Sequence, residues 1–334
     1  MSNKAGLNSI RSWNAMWENC PFVKEELIAF ESYIASKYPP GNSFLNNTSN
    51  EMILSGGKRL RPALVIISGM MGNYEREKIF PVAAAIETLH TATLIHDDII
   101  DNAKTRRGQL TVSEKNGINL AVYTGDYLLA NSILLLSESG LHSERLERVA
   151  KAAKMICIGE VNQYLNRFKM TTVNEYLRRI MKKTGILFSA SCALGAYASG
   201  CSGEQVNVLE RFGMNLGVAF QIRDDIIDIE SDEKEAGKPV ANDIREGIFT
   251  LPFLLAAKRS KAISKRIEEF LCGTVEVEGL MIDVRKAGGV DGAKKLKDRY
   301  ITRCRELLSH FTPKVGSTLA ADGIYAMEEI LKWL

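Results

Sequence analysis

The chain lacks the marks of several protein classes. Lysine and arginine total 43 against 40 aspartates and glutamates, a net charge of +3, so no excess of either sign points to nucleic acid. Six cysteines (Cys20, Cys157, Cys192, Cys201, Cys272, Cys304) are scattered without a CxxC pair. That pattern argues against a zinc site or disulfide frame and fits reduced core thiols in a cytoplasmic protein. No apolar signal core stands among the first residues, where Asn3, Lys4, Asn8, Arg11 and Asn14 fall. The longest apolar stretches, such as 64–71, are far shorter than the ~20 residues of a membrane span, so no stable membrane insertion is expected. No Pro/Gly/Ser-rich linker divides the 334 residues, of which 46% are hydrophobic. One domain over 1–334 is expected, with 1–20 loosely attached. Period-two alternation of useful length is absent too, which leaves helices: an all-α, single-domain bundle.

What is present centres on a repeat. Asp97-Asp98-Ile99-Ile100-Asp101 returns unchanged as Asp224-Asp225-Ile226-Ile227-Asp228, each copy at the downstream end of an apolar, proline-free stretch (86–100 and 212–227). On a helix, residues four apart share a face, so Asp97 pairs with Asp101 and Asp224 with Asp228. Paired carboxylates repel, and the negative end of the helix dipole adds to the repulsion. Such clusters call for divalent cations. All-oxygen ligands favour Mg²⁺, which takes one or two carboxylates and completes its shell with water and substrate phosphate.

Ahead of the first copy the pattern reads as helix over 22–38, a polar loop over 42–50, a helix over 63–72 behind Pro62, and a helix opened by Pro81 that carries the first cluster. Further helices are expected over 120–136, 145–168 and 173–198, the last rich in small residues that permit close approach. Cations stand near both clusters. Gly56-Gly57-Lys58-Arg59-Leu60-Arg61 sets two glycines ahead of three cations at a helix start, a place that favours phosphate, although the spacing is not that of a Walker loop. Arg106-Arg107-Gly108 follows the first cluster, Lys238-Pro239 the second, and Lys182-Lys183-Thr184 lies inside an apolar helix. Carboxylates for metal, cations for oxyanions and an apolar wall together describe a diphosphate-ester site. Of four histidines, His142 and His310 lie on polar stretches, and His96 abuts Asp97. The single Glu87-x-x-His90 argues against a di-iron bundle, which uses two copies.

The chain resembles the trans-isoprenyl diphosphate synthases, or polyprenyl synthetases, from about residue 25 to near its end. The shared signatures are GGKRLRP (56–62), LHTATLIHDDIIDNAKTRRG (89–108), GDYLLA (125–130), the Lys183-Thr184 pair, FQIRDDIID (220–228) and GKPVANDIREG followed by TLP. The resemblance implies a helical bundle around a central cavity, Mg²⁺-dependent and usually homodimeric. It implies isopentenyl diphosphate on Gly57, Lys58, Arg61, His90 and Arg107, and an allylic diphosphate on Arg106, Lys183 and Lys238. It places Mg²⁺ on Asp97, Asp101 and Asp224, with Asp228, while Asp98 and Asp225 support. Thr184 and Gln221, with the Lys183 backbone, would face the allylic carbocation.

One position departs from the family pattern. The usual Gly-Lys-x-Thr-Leu-Pro reads Gly247-Ile248-Phe249-Thr250-Leu251-Pro252, and restoring lysine at Ile248 is expected to tighten allylic binding. Product length is read from the helix upstream of Asp97, where Ala92 and Thr93 are small and Leu89 lies further down. In the family a bulky aromatic near this place stops chain growth, so an open tunnel and a product longer than farnesyl diphosphate are expected. The alternatives are a geranylgeranyl or farnesyl diphosphate synthase, a terpene cyclase, or one subunit of a heteromeric synthase.

Overall fold

Apolar residues recurring every three to four positions become helix along most of the described residues, and the fold is all-α. The computed structural model of the protein describes residues 16–140, 143–230 and 242–334. It divides into two units, Met1–Ala150 with Ala190–Glu210 and Phe311–Trp333, and Lys151–Ser189 with Arg211–His310 and Leu334.

In the first unit α1 (Pro21–Ser36), α2 (Phe44–Leu54) and α3 (Leu60–Gly69) lead into α4 (Arg76–Ile100), α5 (Val112–Asn116) and α6 (Ile118–Glu138). Every residue of α3 except Arg61 is buried, and so is α4 from Ile79 to Leu89. Small residues in α9 (Ile186–Ala198) allow tight packing, as expected: a Cβ on Gly195 would lie 2.2 Å from the Val65 carbonyl oxygen. Arg59 adopts a left-handed backbone (φ 49°) that sends its side chain inward. There it donates to Glu31 (2.5 Å), Glu87 (2.6 Å) and the Ile53 carbonyl. One of the three cations of the 56–61 segment is therefore structural. Removing it would leave two buried carboxylates unpaired, at a cost of roughly 3–5 kcal/mol.

Several local expectations are corrected. The polar stretch 42–50 is not a loop. Ser43 caps α2 by accepting from the Asn46 amide, and Tyr127 Oη donates to Asn46 Oδ1 at 2.6 Å, so tertiary partners convert a polar sequence to helix. Pro81 does not open its helix. It lies inside α4, where its missing N–H leaves only the Glu77 carbonyl without its helical donor. Trp17 and Cys20, just before α1, are buried, and residues 1–15 of the segment expected to be loosely attached lie outside the described residues. Helices α4 and α6 are, by length and composition, apolar enough to cross a membrane, although no unbroken apolar run is. The apolar window of α4 is 78% buried within the protein, that of α6 only 39%.

Helix α7 (Ser143–Leu165) enters the second unit at Lys151 and is followed by α8 (Val173–Ile180), which a capping box of Thr172 and Glu175 starts. The single helix expected over 173–198 is instead three pieces. A π-helical turn, Met181–Gly185, separates α8 from α9. The second acidic pentapeptide closes α10 (Gly203–Glu230), and α11 (Asn242–Arg245), α12 (Leu251–Arg259), α13 (Lys261–Leu271), α14 (Val277–Lys286) and α15 (Gly289–Ser309) complete the unit. The last helix, α16 (Ala320–Trp333), belongs to the first.

Candidate active site

Each unit carries one acidic pentapeptide with its own cations. At the end of α4, Asp97 is half-buried, Asp101 exposed and Asp98 fully buried. Asp98 Oδ1 accepts from both Nε and Nη2 of Arg106 at 2.7 Å, while Oδ2 is buried with no hydrogen-bond partner. Arg106 is carried there by the only strands among the described residues, a hairpin pairing Thr105–Arg106 with Gln109–Leu110. Its two-residue turn, Arg107-Gly108, has positive φ at both positions (53° and 75°), the geometry that matches strand twist. The hairpin escapes a search for alternating strands because it is only two residues wide.

The same turn brings the Arg107 guanidinium against Gly57, where an added Cβ would lie 2.7 Å from Nη2. Gly57 also holds φ at +137°, so only glycine suits both the backbone and the contact. Arg61 Nη1 donates to His90 Nε2 at 3.0 Å, which leaves any ring proton of a neutral His90 on Nδ1. Burial, then the positive fields of Arg61 and Arg107, hold His90 well below its usual pKa. Lys58 Nζ lies 4.4 Å over the Trp333 ring, a cation–π contact that steadies a mobile side chain. His96, by contrast, faces α6: its Nε2 is 3.4 Å from Asp126. On α4, Thr93 shares the half-buried stripe with His90 and Asp97 and donates its hydroxyl to the His90 carbonyl (2.7 Å). Ala92 and Leu89 are fully buried, Ala92 about 140° around the helix from Asp97.

In the second unit Asp224 and Asp228 are half-buried and Asp225 is buried. Cations meet the carbonyl end of α10, Arg285 donating to the Ile229 carbonyl and Lys294 to Glu230 (2.6 Å). They offset the helix-end field that would otherwise raise the cost of the aspartates. Asp225 takes a hydrogen bond on each oxygen, from Tyr176 Oη at 2.6 Å and from Gln221 Nε2 at 3.0 Å. Burial, aided by Asp243, still pushes its pKa up to about 7. Gln221 Oε1 in turn accepts from Thr184 Oγ1 at 2.8 Å. Lys183, beside Thr184 on the π turn, pairs with Glu160 of α7 at 2.9 Å. Thus Lys183, Thr184, Gln221 and Asp225 do gather. Tyr176 and Glu160, which complete the group, carried no sequence signal: each is an ordinary helical residue until the fold brings it in. Lys238 lies outside the described residues. Ile248 is 5% exposed, so a lysine there would have to leave the apolar core, and the expected gain in allylic binding gives way to an expected loss of stability.

No three His, Cys, Asp or Glu side chains converge as a closed metal site among the described residues. The donor set is two pairs of carboxylates, one turn apart on their helices. That fits Mg²⁺, which binds through one or two carboxylates and leaves positions for phosphate and water. The buried, unpartnered Asp98 Oδ2 adds an acceptor on the α4 side.

The model of the polyprenyl synthetase family matches residues 42–280. The heptaprenyl diphosphate synthase component 2 of Bacillus subtilis is 34% identical over 300 residues, covering 88% of this chain and 84% of that protein. The geranylgeranyl diphosphate synthase of Sulfolobus acidocaldarius is 38% identical over 296 residues, 85% and 88% of the two chains. A polyprenyl synthase from Caulobacter crescentus, solved with calcium and isoprenyl diphosphate, superposes with a TM-score of 0.82 at 28% identity, covering 99% of this chain and 98% of that one. With the family model matching residues 42–280 and relatives 34% and 38% identical over most of both chains, this chain belongs to the polyprenyl synthetase family.

Proposed function

We infer that the protein is a prenyltransferase of the trans-polyprenyl diphosphate synthase type, joining isopentenyl diphosphate to an allylic diphosphate and giving a product longer than farnesyl diphosphate. The observation that carries this reading is the α4 cluster: Asp97 and Asp101 lie one turn apart at the end of the helix whose buried Asp98 holds Arg106, and the same unit brings Arg107 against Gly57 and Arg61 onto His90. Arg61, Arg107 and Lys58, with a neutral His90 beside them, suit the diphosphate of the isopentenyl substrate. Arg106 and Lys183, with Lys238, suit the allylic one. Asp97 and Asp101 in the first unit, and Asp224 and Asp228 in the second, would hold Mg²⁺. When bound, the ion neutralises charge gathering on the departing diphosphate. The allylic carbon–oxygen bond breaks, the isopentenyl double bond attacks the allylic carbon, and a proton leaves to restore a double bond. Thr184 and Gln221 face that carbon with oxygen lone pairs, and the diphosphate serves as proton acceptor.

The active form is a homodimer. Ile118, Tyr123, Ile133 and Leu134 of α6 are each more than half exposed, an apolar face too large for one helix to leave in water. The six unpaired thiols suit a cytoplasmic location. Because one relative is named as a component of a synthase, a heteromer is the second reading. One assay separates these: the purified chain alone, with labelled isopentenyl diphosphate, farnesyl diphosphate and Mg²⁺, followed by sizing of the product. Elongated prenyl diphosphate from the chain alone is the expected result. No product at all would overturn the enzyme reading for the isolated chain, and activity restored only by a second subunit would establish the heteromer.

A further inference from the structure

The hydrogen-bond chain in the second unit has a direction, and Tyr176 sets it. Tyr176 is 1% exposed on α8, and its hydroxyl donates to Asp225 Oδ2 (2.6 Å). Asp225 accepts on its other oxygen, Oδ1, from the amino group of Gln221 (3.0 Å). That turns the Gln221 carbonyl oxygen toward Thr184, whose hydroxyl gives its one proton to it (2.8 Å). Thr184 is then left with oxygen lone pairs and no proton to offer. The π turn makes this reach possible. Lys183 and Thr184 are consecutive, yet one extends to Glu160 on α7 and the other to Gln221 on α10.

We propose that Tyr176 is a positioning residue for prenyl transfer: through Asp225 it fixes the amide orientation of Gln221 and so makes Thr184 a hydrogen-bond acceptor toward the reacting allylic carbon. The proposal rests on the prenyl-transfer reading above. An acceptor oxygen at that place stabilises positive charge as it develops and repels diphosphate oxygens, so the leaving group is not drawn onto Thr184. Without the Tyr176 hydroxyl, Asp225 loses one donor, Gln221 can rotate, and Thr184 can turn its proton outward.

Tyr176→Phe tests this, since it removes one oxygen and keeps the ring. The variant is expected to lower kcat roughly tenfold or more while leaving KM for both diphosphates within about a factor of two. Thr184→Val is expected to lower kcat as well, and the double variant to be no worse than Thr184→Val alone, because the two act in one chain. Additive losses would overturn the proposal, as would a Tyr176→Phe enzyme that keeps its kcat and loses only thermal stability. A readout in substrate-free protein stands apart from activity. The ¹⁵N signal of the Gln221 side-chain amide, assigned by its disappearance in Gln221→Leu, is expected to shift and exchange faster in Tyr176→Phe. An unchanged amide signal sinks the proposal whether or not the enzyme is active, whereas wild-type protein that makes no product, with the amide signal behaving as expected, sinks only the prenyl-transfer reading.

Discussion

At the scale of single residues, neighbouring carboxylates have opposite roles. Asp98 is buried and paired with Arg106, while Asp97 next to it stands half-open beside Asp101. Asp97→Ala is therefore expected to reduce turnover by several orders of magnitude and leave the melting temperature unchanged or slightly raised, because it relieves repulsion. Asp98→Ala is expected to lower stability by roughly 1–3 kcal/mol as well, by stranding Arg106. Calorimetry beside steady-state kinetics checks both, and equal stability losses would show that Asp97 is structural too. His90 supplies a pH dependence. Its folded pKa lies well below that of the unfolded chain, because burial and Arg61 oppose a charged ring. Below about pH 6.5 the unfolded chain takes up a proton that the folded one refuses, so stability falls as pH drops, by up to about 1.4 kcal/mol per pH unit. In His90→Gln that component of the slope is expected to vanish in denaturant titrations between pH 5 and 8. An unchanged slope would mean that His90 titrates normally.

At the scale of elements, α4 has to be a wall and a metal carrier at once. Its upstream turns are buried and its last turn is open, so Ala92 sits where extra volume has a definite consequence. If a tunnel passes Ala92, Phe in its place shortens the product to about farnesyl or geranylgeranyl length with little change in stability. If the helix there is merely packed tight, overfilling costs about 1–3 kcal/mol and leaves the product alone. Ala92 is 2% exposed, so the packed-helix outcome is expected at this position, read by product chromatography beside a thermal melt. The Arg107-Gly108 turn belongs to the same scale. Gly57→Ala would push the Arg107 guanidinium away and strain a backbone at φ +137°, so it is expected to raise KM for isopentenyl diphosphate at least tenfold while leaving the allylic KM alone. An equal rise in both constants would show that Arg107 does not distinguish the substrates.

At the scale of the whole molecule, α6 poses the question of assembly. Its buried side is built from Ala121, Thr124, Gly125, Leu128, Ser132, Leu135 and Leu136, and Ile118, Tyr123, Ile133 and Leu134 are left in water. Paired changes Ile133→Glu and Leu134→Glu are expected to convert a dimer to a monomer in sedimentation equilibrium while the α-helical spectrum stays intact. Dimers that persist with two glutamates on that face would move the interface elsewhere.

The amino-acid order alone determines the helical character, because 3.6-residue patterning and the want of alternating segments act locally. It also determines both acidic pairs, since residues four apart share a helix face wherever the helix lies, and the resemblance of the 56–62, 89–108 and 220–228 segments to polyprenyl synthetases. What it leaves open are properties that depend on neighbours distant in the chain. Within 42–50 only Ser43, an N-cap, announces a helix, and further support comes from Tyr127, distant in the chain. Arg59 and Arg61 look alike until a left-handed backbone turns one toward Glu31 and Glu87. The π turn at 181–185 is invisible to a helical pattern, as it adds one residue without changing which residues are apolar. Tyr176 and Glu160 gain their roles only when α8 and α7 bring them to Asp225 and Lys183. Hydrogen bonds between residues 23 to 81 apart are set by packing, and packing is a property of the folded chain.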